Sequence, residues 1–482
     1  MQAANESTAR MQWVEGGLVP LWTRPHDRAV GVPLSERMAF YGVPGVSIAV
    51  INDYQLEWAQ GYGVREAGEP SPVTPESLFQ AGSVSKPVAA VMALQLVCAG
   101  QLDLDADVND SLRSWKIPAN GSWQPRVTLR HLLSHSGGVT VHGFPGYRRD
   151  GAIPSLTQVL RGEHPANTPP IRVDAVPGAQ FRYSGGGTTV CQQLLIDVTG
   201  KSFPQLARER VFAPLGMGDS TYEQPLPASR WDRAVAGHRT GGGVVEGKWH
   251  VYPEMAAAGL WTTPSDLARL VVDIQATVAG KPDTLLSREM VDEMLTLQVE
   301  SRGLGFALAG SGADARFLHG GDDQGFTCRL VAYRARGLGA IVMTNSDEGV
   351  PLLDEIFAAI AAEYAWPGYL PETPTRASVA AVTLDHYAGV YALLPGFTLT
   401  VTRADDTLSV EPTGQSPLIF VPESETTFFN DAVDTKLSFV TTDVGVVASV
   451  RFQQNGREIV GNRMWGQRFV GALRGEGSNR DR

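Results

Sequence analysis

The sequence is poor in cysteine. Cys98, Cys191 and Cys328 are the three thiols in 482 residues, and they form no spacing motif. An odd, scattered set argues against a disulfide framework, and the apolar runs around Cys98 and Cys191 predict buried free thiols. No run of 18 or more apolar residues occurs, so no transmembrane helix is expected. Residues 1–10, MQAANESTAR, lack the apolar core of an export signal. A periplasmic or secreted chain trimmed of such a signal and a cytoplasmic chain both fit. Positive charge is also short. Lys+Arg number 40 against 51 Asp+Glu, a formal net charge of −11, whereas a nucleic-acid partner calls for a basic face. Three signatures are missing as well: the G-x-S-x-G nucleophile elbow, the phosphate loop G-x-x-x-x-G-K-[ST], and G-x-G-x-x-G after a strand. No cofactor is expected. His131 and His135 stand at i and i+4, but Leu132 occupies the place where a metalloprotease needs glutamate, and no acid follows at ligand spacing. Structural histidines are expected there, and no metal.

What is present is organised in blocks. PGVSIAVINDYQLEWAQGYGV, from residue 44, reads as two strands around a turn at Asn52-Asp53. Residues 83–99 read as a helix buried on every side and closed by Gly100. Residues 105–300 hold helical segments between Gly/Pro-rich loops. Strands return between 300 and 350, and PLLDEIFAAIAAEYA, 351–365, has helical spacing. This order predicts an α+β domain: an antiparallel sheet flanked by helices, with a helical subdomain inserted between its strands. WPGYLPETPTRASVAA, 366–381, is rich in turn signals, and short strands follow it at intervals of roughly 8–12 residues, the spacing of an all-β barrel or sandwich. The expected division is an N-terminal extension over 1–30, an α+β domain over 31–366, a linker over 367–383, an all-β domain over 384–475 without a helix, and a polar tail over 476–482.

In FQAGSVSKPVAAVMALQLVCAG, 79–100, Ser83 and Lys86 lie one turn apart at the mouth of an apolar helix. A cationic lysine is costly in such a place, and burial favours its neutral amine, which can take a serine proton. The bland reading is an N-cap serine beside a solvated lysine. Two further stretches add weight to the first reading. Tyr183 precedes Gly185, Gly186 and Gly187 in GAQFRYSGGGTTV, where glycines permit close backbone approach. His319 precedes Gly320, Gly321 and Asp322 in FLHGGDDQGF, a strand that can offer an unhindered backbone N–H.

The ordered set Ser83-x-x-Lys86, Tyr183-Ser184-Gly185 and His319-Gly320-Gly321, with VFAPLGMGDSTY and AAAGLWTTPSDLARL as context, resembles the penicillin-recognising serine hydrolases. That superfamily includes class C β-lactamases, D-stereospecific peptidases and esterases. The resemblance covers about residues 30–365. It implies a β-lactamase/transpeptidase-like fold with Ser83 as the acylated nucleophile and Lys86 and Tyr183 as the acid/base pair. It also implies that His319 orients that pair or meets a substrate carboxylate, and that the backbone N–H groups of Ser83 and Asp322 form the oxyanion hole. Gly185 stands where many relatives carry an asparagine that holds the substrate amide, and Gly320 and Gly321 line the substrate strand. The final domain resembles the lipocalin-like β domains of some peptidases in the superfamily. The implied activity is hydrolysis of small or linear peptides, with D- or unusual residues among the candidates. A carboxylesterase, transesterase or weak β-lactamase on the same site and a non-catalytic binding module are the alternatives. The implied partner is a small molecule or peptide, and a homo-oligomer is compatible with the sequence. Loops 140–165 and 235–255 are expected to set specificity.

Overall fold

The strand Gly45–Asn52 (β1) is buried from Gly45 to Ile51 because both its faces are covered. Val46, Ile48 and Val50 enter one core, and Ala49 and Ile51 enter another. In this computed structural model, which describes residues 2–19, 31–370, 376–430, 435–442, 445–454 and 457–464, β1 forms a hairpin with Gln55–Gly63 (β2). The turn sits one residue later than the sequence suggests, on Asp53 and Tyr54, with φ of 47° and 61°. Such a pair is unusual for residues other than glycine or asparagine. It is held from outside: the Tyr54 N–H donates to the Gly337 carbonyl at 3.2 Å, and the Tyr54 hydroxyl donates to that of Ala335 at 2.9 Å.

The chain leaves the sheet at Gly63 and returns as Ala307–Ala309 (β3), Arg316–Asp323 (β4), Phe326–Tyr333 (β5) and Gly339–Thr344 (β6). The six strands are antiparallel in the order β2-β1-β6-β5-β4-β3, with Val46 opposite Thr344 and His319 opposite Leu330. The helices between β2 and β3 are the inserted subdomain of the α+β expectation. The helices Ser85–Cys98 and Pro264–Val278 pack on the Ala49/Ile51 face. Gly349–Glu363, Leu34–Tyr41 and the N-terminal helix Gln2–Gly16 cover the other. The helix Pro264–Val278 starts where its sequence says it should: the Thr263 hydroxyl accepts the Asp266 N–H, and proline takes the first position.

The helix Ser85–Cys98 is buried through Leu94 and at Leu96, but its last turn emerges from the core. Cys98 is therefore exposed, contrary to the buried thiol expected there, while Cys191 and Cys328 are buried. Gly100, with φ of 65°, ends the run.

Among the described residues, those up to Leu370 form one compact unit and those after it belong to a second. The second begins, among its described residues, with a feature that the sequence reading omitted, the helix Ala381–Tyr387. Eight strands follow: Gly389–Leu394 (β7), Phe397–Ala404 (β8), Thr407–Pro412 (β9), Leu418–Pro422 (β10), Thr427–Asn430 (β11), Thr435–Thr441 (β12), Val447–Gln454 (β13) and Arg457–Arg463 (β14). Each pairs with the next, and β14 returns to β7, so the barrel is closed and has no free edge. Its interior is filled by side chains such as Leu399, Val410, Phe428 and Phe439. Tyr387 stacks on Phe439 with ring centroids 4.2 Å apart. The expected tail over 476–482 lies outside the described residues.

Candidate active site

Ser83 does not open the α-helix itself. It sits in a single 3-10 turn, Gly82–Val84, and the helix begins at Ser85. The junction is pinned on both sides. The Ser85 hydroxyl accepts the Leu260 N–H at 3.0 Å, and the Ser85 carbonyl accepts the Tyr222 hydroxyl at 2.6 Å. Lys86, 4% exposed, is held in the first turn with its Nζ 2.9 Å from Ser83 Oγ and 2.8 Å from the Ala257 carbonyl. The nucleophile and base candidates are thus within proton-transfer distance.

The Tyr183 ring centroid lies 5.0 Å from Lys86 Nζ. The glycines after it do not form the flexible loop weighed from the sequence; they begin the helix Gly185–Thr199, capped by the Ser184 hydroxyl on the Gly187 N–H. A Cβ at Gly186 would lie 2.4 Å from the Thr140 carbonyl, and one at Gly185 would lie 3.0 Å from Phe144 and 3.1 Å from the His142 carbonyl. These glycines admit a protein loop rather than a ligand. Gly185 accordingly lies under that loop and is not part of the cleft wall.

The strand β4 passes directly over the Ser83 turn. A Cβ at Gly321 would meet the Ala81 carbonyl at 2.1 Å, and a Cβ at Gly82 would meet the Asp322 nitrogen at 2.6 Å. Close approach at two glycines brings the Asp322 amide beside the Ser83 turn. Gly321 acts by this packing and does not border the cleft, whereas Gly320 and Asp322 do. His319 is on the same strand, with Nδ1 2.6 Å from the Gly320 carbonyl. Burial, with Lys86 adding to it, pushes its imidazole down to about 3, so it is neutral.

These groups share a cleft of about 640 Å³, a size suited to a small ligand. Two of its features, Arg302 and Asp323, were not legible in the sequence motifs. His142, Gly143 and Phe144 enter from the 140–165 loop, as expected of that loop, while the 235–255 stretch supplies no lining residue. Arg302 lies on the wall with its guanidinium 4.8 Å from the Phe181 ring centroid. Its Nε has no hydrogen-bond partner, and no carboxylate among the described residues is within ion-pair distance. Asp323 is buried on the inner face, with Oδ2 unpartnered, and burial raises its carboxyl well above the usual range. The two histidines at i and i+4, expected to be structural, separate. His131 serves in the cap of the short helix Leu129–Leu133, and His135 lies beyond the helix, next to Tyr183. Among the described residues no cluster of potential metal ligands occurs.

Residues 34–365 match the model of the family described as Beta-lactamase. The chain belongs to the beta-lactamase family. Residues 373–468 match a domain of unknown function, DUF3471. The chain is 22% identical to penicillin-binding protein 4* of Bacillus subtilis over 462 residues, 90% of this chain and 98% of that protein. It is 27% identical to the esterase EstB of Burkholderia gladioli over 60% of this chain and 82% of the esterase. Among solved structures, the octameric penicillin-binding protein homologue from Pyrococcus abyssi aligns over 89% of this chain and 98% of its own, with a TM-score of 0.59 and 21% identity, a likeness of fold. Members of the beta-lactamase family are serine hydrolases, with β-lactamase, esterase and penicillin-binding branches.

Proposed function

We propose that the chain is a metal-independent serine hydrolase that cleaves small peptides through an acyl-enzyme on Ser83. The observation that carries this reading is the 2.9 Å contact between Lys86 Nζ and Ser83 Oγ inside the cleft. Lys86 Nζ takes the Ser83 proton along that axis as Oγ attacks the substrate carbonyl carbon. The carbonyl oxygen becomes an oxyanion facing the N–H groups of Ser83 and Asp322. Tyr183 passes a proton to the leaving amine as the C–N bond breaks. Lys86 hands the proton it took from Ser83 to the Tyr183 phenoxide. Water then attacks the acyl-enzyme and gives a proton to the Lys86/Tyr183 pair, which returns it to Ser83 Oγ as the C–O bond breaks and the acid leaves.

The substrate carries a free carboxylate on its leaving side. His319 is neutral and cannot serve as the counter-ion for that group, which leaves Arg302 as its partner on the cleft wall. A half-buried guanidinium without a carboxylate is an unfavourable arrangement that an anionic substrate relieves. The similarity to the Burkholderia gladioli esterase supports ester cleavage as the second reading.

Intact-mass measurement after incubation with a fluorophosphonate tests the mechanism. One adduct is expected on the parent chain and none on folded Ser83→Ala. Lys86→Arg keeps a fixed charge at the base position and should label at least about 100-fold more slowly. An unlabelled parent chain would move the weight to a binding module. Parent-like labelling of Lys86→Arg would show that Lys86 is not the base.

A further inference from the structure

His135 is a buried, left-handed, non-glycine residue beside the cleft, with φ of 58° and 6% exposure. Backbone in that region is costly for a side chain of this size and persists where the surroundings over-determine it. The surroundings are the Tyr183 segment. The His135 carbonyl accepts the Arg182 N–H at 2.8 Å, and His135 Nδ1 accepts the Ser184 N–H at 3.2 Å. Both chain neighbours of Tyr183 are therefore tied to one residue. The same imidazole lies against the phenol ring itself, with centroids 4.4 Å apart and planes 33° apart. Because Nδ1 accepts, the ring proton resides on Nε2, and the imidazole is neutral.

We propose that His135 is a positioning residue that fixes the Tyr183 phenol against Lys86 and Ser83. Three demands meet at this position. The backbone must turn left-handed, the side chain must accept a backbone N–H, and a flat ring must support the phenol. Asparagine satisfies the first two, and phenylalanine only the third. Histidine satisfies the last two, and the contacts at its backbone and ring hold it in the first. His135 does not line the cleft, so it acts through Tyr183 and not on the substrate.

The inference rests on the hydrolase reading for its kinetic consequence but not for its structural one, and the test separates them. In protein labelled with ¹³Cζ-tyrosine, the Tyr183 resonance is the one lost in Tyr183→Phe. It should shift or broaden in both His135→Asn and His135→Phe, while thermal melting shows that at least one variant is folded. Fluorophosphonate labelling of Ser83 should slow about 10-fold in each variant, a coupling of ordinary size for residues in contact. In the Tyr183→Phe background, His135→Asn should slow it no further. An unchanged Tyr183 resonance in a folded variant, or rate losses that multiply in the double variant, would overturn the proposal. A parent chain that ignores the probe ends the hydrolase reading, and the resonance alone then decides whether His135 positions Tyr183.

Discussion

The two units bury different things. In the barrel, the interior is Leu, Val, Phe and Tyr, and among its described residues Asn430 and Thr435 are the buried polar side chains. In the larger unit, Lys86, His135, Glu254, His319 and Asp323 are all buried, and Asp323 and Glu254 each keep one oxygen without a hydrogen-bond partner. A closed, apolar interior is an arrangement for packing. A core that tolerates desolvated ionisable groups bears a cost that packing alone would remove, and such residues collect where chemistry is done.

If the barrel interior is only packing, a cavity there should be expensive. Phe439→Ala, which also removes the ring under Tyr387, should cost about 3–5 kcal/mol in the unfolding transition of the barrel, measured by urea titration. A loss under 1 kcal/mol would mean the interior is not the close-packed core described.

Glu254 sharpens the other side of the comparison. Burial raises its carboxyl to about 7. The folded chain therefore holds this proton more tightly than the unfolded chain does, and stability falls as pH rises from the ordinary carboxyl range through about 7. Above that window the ionised group costs the fold about 3 kcal/mol. Glu254→Gln should then be more stable than the parent at pH 8 by up to that amount and close to it at pH 4. Equal urea midpoints at pH 8 would contradict the assignment.

The smallest effect belongs to the cleft wall. Arg302→Gln should raise KM about 10-fold, or about 1.4 kcal/mol, for a peptide with a free C-terminal carboxylate, and leave its C-terminal amide unaffected. Equal effects on both substrates would remove Arg302 from carboxylate recognition.

The fold and the motifs of the candidate site were legible because both leave local marks. Strand alternation and the interrupted helical block show the α+β order. The Ser83, Tyr183 and His319 motifs each carry their neighbours with them. What was hidden depends on long-range packing. Nothing around Arg302 distinguishes it from a surface arginine until Phe181 is placed beside it. Gly185 and Gly186 look like a ligand loop until Thr140, His142 and Phe144 are seen to fill the space. His135 looks like a structural histidine one turn after His131 until the helix ends at Leu133 and it turns toward Tyr183. Cys98 looks buried because its sequence is apolar, and only the length of the helix decides that its last turn emerges.

The pairing of β1 with β6, Val46 against Thr344, sets a condition on synthesis. The hairpin β1-β2 is made early, yet the partner for the far side of β1 leaves the ribosome almost 300 residues later, by the difference between those two positions. Until then an apolar strand has an open edge, the state in which nascent chains aggregate. His319 and Asp322 belong to the same late segment, so a partly made chain holds Ser83 and Lys86 without the strand that would complete the cleft. A truncated product of translation would thus have an unfinished cleft and an open strand edge, and both end together when the last strands insert.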